Sequence, residues 1–172
     1  MQWRLPSFAH IPLIHGEDGK KLSKRHGARN LTDYAKLGYT PAGIRNYLCR
    51  LGWSHGDDEI FTTVQAQTWF DLGAIGKAPA RLNSKKMDYI NKQQILMADD
   101  DDLLQNLNNY ISINNIDGIT DSQIALIIKA IPLLKSKAKT IANLLEQANF
   151  SIISRPFIFD DEEVRKLFIS NK

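Results

Sequence analysis

From Leu31 onward, apolar residues recur at three- and four-residue steps, cut at short intervals by residues that start or stop helices. That pattern confines most of the chain to a mainly α-helical fold. Thr32 is placed to cap a helix that stops at Gly38. Thr40 caps a second helix, with Pro41 at its first position and Gly52 just past its end. Ile44, Tyr47, Leu48 and Leu51 give this helix one apolar face, and Cys49 falls beside it as a small packing residue. A loop over 53–58 leads to a short helix over 64–70. Residues 71–81 hold three glycines or prolines and read as irregular. Ser84 opens a further helix to about Lys92, with Met87 and Ile90 on its inner side and Tyr89 at the edge.

Beyond Ile95 the composition shifts toward Leu, Ile and Asn. Four successive aspartates, 99–102, precede Leu103, Leu104, Leu107, Tyr110 and Ile111 at helical spacing. Carboxylates favour the positive end of a helix, so they read as a start signal. A divalent-cation site is the sharper alternative, but nothing nearby completes a coordination sphere. Asp121 opens another helix through Ile124, Ile127, Ile128 and Ile131, which Pro132 should break or kink. Helices over 133–148 and 160–168 complete the tail. Before the helices, residues 8–15 form a mostly apolar run that reads as a short buried strand, with 16–19 as its turn.

Between that strand and the helices lies the most chemically loaded segment, from Gly19 to Gly27. It carries Lys20, Lys21, Lys24 and Arg25, with the hydroxyl of Ser23 among them. Glycines let backbone approach a ligand closely, and the cations supply the charge that a polyphosphate needs. It is not a Walker loop, because no glycine stands five residues before Gly19 and neither Ser nor Thr follows Gly19-Lys20. The chain through Arg50 carries nine Lys/Arg against three Asp/Glu, while the rest carries thirteen against sixteen. A second basic cluster, Lys77, Arg81, Lys85, Lys86 and Lys92, interrupts that acidic remainder. Two such zones can line one polyanion track, although solvated faces without a partner have the same composition.

At 172 residues with 43% hydrophobic content, the chain can bury one good core or two smaller helical units. No apolar run approaches a bilayer span. The single cysteine cannot form an internal disulfide and suits a reducing cytoplasm, so a cytoplasmic location is expected. His15, His26 and His55 are too scattered for a zinc cluster, and no metal site is expected. His10 sits on the apolar run, either as a core histidine or as a catalytic contact. Trp53 and Trp69 read as core anchors, with base stacking as the alternative.

The pentapeptide Lys21-Leu22-Ser23-Lys24-Arg25 resembles the KMSKS signature of class I aminoacyl-tRNA synthetases. Alone it is a weak motif. In its setting, from Pro6 and Phe8-Ala9-His10 through Gly27-Ala28, it resembles bacterial-type glutamyl-tRNA synthetase. The similarity continues through Gly38-Tyr39, Pro41, Asn46-Tyr47-Leu48 and Leu51-Gly52-Trp53-Ser54. It extends to Phe70-Asp71-Leu72, Lys77-Ala78-Pro79-Ala80-Arg81 and Asn91, which are similar to the family's stem-contact region. The later helices resemble, more loosely, the start of an anticodon-binding helical cage. A glutaminyl enzyme fits less well, because its anticodon region is built from β-barrels.

The resemblance implies residues 1–30 as the end of a Rossmann-type catalytic domain, 31–95 as a stem-contact region and 96–172 as part of an anticodon-binding domain. It implies ATP as the nucleotide, with Mg2+ in the complete enzyme, and tRNA and glutamate as partners. In amino-acid activation a carboxylate attacks the α-phosphate and pyrophosphate leaves, so cations must meet the phosphates as charge moves. By resemblance Lys24 is the catalytic lysine; Lys21, Ser23 and Arg25 join it at the nucleotide, while Arg81, Lys85 and Lys86 contact tRNA. The family's HIGH-type signature is missing: His10-Ile11 is followed by Pro12, and His55-Gly56 by Asp57. A fragment of a synthetase, inactive alone, is therefore expected. The rival reading is a stand-alone tRNA-binding module without catalysis.

Overall fold

A computed structural model describes Leu5, Pro6, Phe8, residues 10–23 and residues 29–152. Over these residues the chain is mainly helical, with a two-stranded parallel sheet. In order it forms β1 (Ile14–His15), α1 (Leu31–Lys36), α2 (Pro41–Gly52) and α3 (Thr63–Trp69). A 3-10 turn (Leu72–Ala74) then leads to β2 (Ala80–Arg81), α4 (Ser84–Met97), α5 (Asp100–Ile113), α6 (Asp121–Leu134) and α7 (Ile141–Ile152).

Several helix boundaries follow from local chemistry. The Thr40 hydroxyl accepts the Gly43 N–H at 3.0 Å and caps α2, with Pro41 in the first turn where no partner for its missing N–H is needed. Asp99 accepts the Asp102 N–H at 2.7 Å and starts α5. Helix α1 is capped by Asn30 rather than Thr32. The Asn30 N–H donates to Asp33 at 2.8 Å, and this reciprocal closure places Thr32 already inside the first turn. Helix α4 runs past Lys92 to Met97, because its inward face continues through Asn91 and Gln94, two polar residues that hide the apolar period.

Pro132 does not end α6, which continues to Leu134. It removes one N–H near the end of the helix, and the residue that closes it, Lys135, still donates to the Ile131 carbonyl at 2.9 Å. Leu133 and Leu134 therefore belong to α6, and α7 starts only at Ile141, after Thr140 accepts the Asn143 N–H at 3.1 Å. The helix expected over 160–168 lies outside the described residues. Among its described residues the apolar run 8–15 is not a buried strand: of these only Ile14 and His15 pair, while Phe8 is 81% and Ile11 70% exposed. Pro12 lacks a ladder donor, and β2 offers only two residues to pair with. His10 is likewise exposed, not a core histidine.

Two apolar clusters result. Ile95, Leu103, Leu107, Ile127, Ile131, Ile141 and Leu144 knit α4 to α5, α6 and α7. Tyr47, Met87 and Ile90 join α2 to α4, with Ile44 and Leu51 packed against them, while Leu48 stays 42% exposed at the margin. Between the clusters runs a buried polar seam. Asn91, fully buried, accepts the Thr40 N–H at 2.9 Å and donates to the Lys139 carbonyl at 2.6 Å. Gln94 donates to Asn46 and to the Phe61 carbonyl, both at 2.9 Å. Trp53 and Phe61 are buried, and Trp69 stacks on His55 with ring centres 4.3 Å apart. Trp53 and Trp69 thus act as packing anchors.

Candidate polyanion-binding site

The sheet, small as it is, decides where the cations stand. After β1 the chain turns through Gly16–Gly19, closed by Gly19 N–H to the Gly16 carbonyl at 3.0 Å and Gly16 N–H to the Lys20 carbonyl at 2.8 Å. Gly19 has φ +77°, a left-handed conformation that a side chain would strain. The returning segment pairs antiparallel with β1 through His15 and Lys21, and the Leu22 N–H donates to the Ile14 carbonyl at 3.0 Å. On its other edge β1 pairs parallel with β2, His15 opposite Arg81 and Ile14 opposite Ala80.

Residues directly opposite each other in a ladder project to the same face. Lys21, His15 and Arg81 therefore form one row, with the outer two backbones about 10 Å apart at ordinary strand spacing. Leu22, Ile14 and Ala80 form the row behind it. The two outer members of the front row, Lys21 and Arg81, are exposed, whereas the central His15 and all of Leu22, Ile14 and Ala80 are half-buried. Two basic zones some sixty residues apart in sequence thus meet across one strand.

Two residues after β2, α4 begins, capped by Asn83, which accepts the Lys86 N–H at 3.0 Å. An open hollow of about 380 Å³ is lined by Glu17, Arg81, Asn83, Ser84 and Lys85. The Glu17 carboxylate accepts the Ser84 N–H at 2.5 Å, and its backbone carbonyl accepts from the Arg81 guanidinium. The Ser84 N–H holds the Glu17 carboxyl below the usual carboxylate value, as do Arg81 and Lys85 more weakly. Lys85 is exposed. Lys86 is half-buried, paired with Glu59 and lying 5.2 Å from the centre of the Tyr89 ring. That hydrogen bond keeps the Glu59 carboxyl low.

Of the residues singled out from sequence, Lys21, Arg81 and Lys85 stand exposed around this sheet, and Ser23 is half-buried just beyond the hairpin. Lys24 and Arg25 lie outside the described residues. Lys86 belongs to the same helix end, but its charge is partly met by Glu59. Glu17 escaped the sequence reading, because its partner stands 67 residues away and no local pattern marks it. A second missed contact is the Tyr39 hydroxyl, which donates to Asp88 at 2.5 Å, one turn along α4 from Ser84. Burial, and then this bond, raise the Tyr39 phenol well above its usual value. A larger, mostly apolar groove of about 570 Å³ lies between α2 and α3, away from the cationic row.

Comparison with known proteins bears on this arrangement. The family model described as tRNA synthetases class I (E and Q), catalytic domain, matches residues 1–89. Glutamate–tRNA ligase 1 of Cereibacter sphaeroides is 50% identical over 167 residues, 97% of this chain and 36% of the relative. Glutamate–tRNA ligase 2 of Paracoccus denitrificans is 49% identical over 172 residues, 100% of this chain and 37% of the relative. The chain thus spans little more than a third of the length of these relatives. Among solved structures, a glutamate tRNA ligase from Elizabethkingia meningosepticum, in complex with its amino acid, superposes with a TM-score of 0.67 at 27% identity. That match covers 96% of this chain and 36% of the other. A profile match over half the chain, together with near-complete coverage at such identity, has one outcome: the chain belongs to the class I tRNA synthetase family of the E and Q type.

Proposed function

We propose that this chain is part of a glutamate–tRNA ligase, which attaches glutamate to tRNA at the expense of ATP. The observation that carries this reading is the roughly one-half identity to glutamate–tRNA ligases along essentially the whole chain. Residues 1–30 supply the KMSKS-type loop, 31–95 the stem-contact region and 96–172 part of the anticodon-binding domain. Lys24 acts on the ATP phosphates as pyrophosphate leaves, supported by Lys21, Ser23 and Arg25. Arg81, Lys85 and Lys86 meet the tRNA backbone. The cationic row of Lys21 and Arg81 supports this reading, since one exposed face presents both basic zones to a polyanion. Mg2+ accompanies ATP in the complete enzyme, and the work is cytoplasmic.

The test is a chimera in which this chain replaces the matching segment of the Cereibacter sphaeroides ligase. Glutamate-dependent ATP–pyrophosphate exchange is expected. Lys24→Ala should slow adenylate formation by about 2–4 kcal/mol in barrier, the scale of a lost charge-stabilising donor. Its tRNA affinity should change little. A Lys24→Ala chimera with undiminished single-turnover activation would remove Lys24 from the chemistry. A chimera that binds tRNA but never exchanges pyrophosphate would favour a non-catalytic binding module.

A further inference from the structure

The Glu17 turn is joined to a distant helix by contacts that the signature motif does not include. Its carboxylate accepts the Ser84 N–H, its carbonyl accepts from Arg81, and the next residue, Asp18, accepts the Lys20 N–H at 3.0 Å. Lys20 and Lys21 thus leave the turn from a point fixed against the first turn of α4, where Lys85 stands. Without that fixation the turn is joined to α4 only through its short hairpin with β1 and a parallel sheet two residues long.

We propose that Glu17 is a positioning residue: it clamps the turn that launches the lysine segment onto the start of α4, so that Lys20, Lys21, Arg81 and Lys85 act as one anion-binding surface. A negative charge inside a basic surface would otherwise only weaken polyanion binding. Here the carboxylate is spent on a backbone N–H that has no intrahelical partner, at a helix end that favours negative charge. The depressed Glu17 carboxyl agrees with this use. The clamp rests on the tRNA-binding reading above for its purpose, and on the geometry alone for its existence.

Two substitutions separate position from charge. Glu17→Gln and Glu17→Ala remove the same charge, but only glutamine keeps an oxygen that can accept the Ser84 N–H. Amide hydrogen exchange at Ser84, measured in this chain by NMR, should remain slow with glutamine and quicken about tenfold with alanine. Filter binding of tRNA at fixed salt should be about fivefold weaker for alanine than for glutamine, the factor associated with one ordinary hydrogen bond. Thermal midpoints should separate by no more than one exposed hydrogen bond contributes, with glutamine the higher. Equal Ser84 exchange in the unaltered and alanine chains would overturn the clamp, and so would equal tRNA affinity of the two variants. Should the unaltered chain bind no tRNA at all, the functional reading falls while the Ser84 amide still decides the clamp.

Discussion

Asn91 shows how much one buried side chain can hold. Its carbonyl oxygen takes both the N–H and the hydroxyl of Thr40, and its amide serves the Lys139 carbonyl, tying the start of α2 to the segment before α7. Two close approaches depend on the same junction. A Cβ on Gly43 would stand 2.1 Å from the Asn91 Oδ1, and one on Gly38, at φ +82°, would stand 2.5 Å from the Ala142 nitrogen. Asn91→Ala leaves a buried N–H and a carbonyl without partners, so it should cost about 2–4 kcal/mol. Urea denaturation checks this, and a loss below ~1 kcal/mol would mean that water replaces the amide. Sequence similarity placed Asn91 in the stem-contact region without giving it a role. Full burial gives it a structural role, and this was illegible because an asparagine on a helix looks the same wherever it faces.

At the scale of elements, α4 carries the most. Its first turns hold Glu17 through Ser84, Tyr39 through Asp88 and Glu59 through Lys86. Glu17 and Glu59 both have carboxyls below their ordinary value of 4.5, through hydrogen bonds from Ser84 and Lys86 respectively. The folded chain then binds fewer protons than the unfolded chain in that window. Their stabilisation is complete above about the ordinary carboxylate value and is lost as pH falls through the lower folded values. Urea midpoints should decline on acidification through this range. The double variant Glu17→Gln/Glu59→Gln should show a flatter acid limb, and an unchanged limb would assign the pH dependence to other carboxylates. Within the proposed function, α4 also makes unequal use of its two lysines. Lys85→Gln should lower the salt slope of tRNA binding by roughly 0.7–0.9, the share of one phosphate contact, whatever the tRNA sequence. Lys86→Gln should lower it less, since Glu59 already offsets that charge. Equal slopes for the two variants would show that the ion pair opens on binding.

For the molecule as a whole, α4 passes through both apolar clusters, giving Met87 and Ile90 to one and Ile95 to the other. The Ile141 N–H to Gly38 carbonyl bond, at 2.7 Å, crosses the same junction. The two sides should therefore unfold together. All three tryptophans lie within the first 69 residues, whereas the larger cluster lies beyond them, so fluorescence and far-UV dichroism report different regions. Leu107→Ala, which empties a fully buried site in α5, should cost about 2–5 kcal/mol and shift both transitions equally. Separate midpoints would show two independent units.

What the sequence alone determined was local. Helix starts at Thr40, Asp99 and Ser84, the apolar faces of α2 and α5, and the basic run beside Ser23 all depend on neighbours within a few residues. Chain order suffices to read such neighbours. Signals failed where the competing groups were distant or the pattern mixed. The long apolar run shrank to Ile14–His15 because β2 supplies only two partners, and α4 outlasted its apolar period because Asn91 and Gln94 find buried hydrogen bonds elsewhere. Tertiary structure alone decided that Lys21 and Arg81 flank His15 and that Glu17 meets Ser84. Those pairs are brought together by parallel strand pairing across some sixty residues, a free-energy outcome of the whole fold that no local window contains.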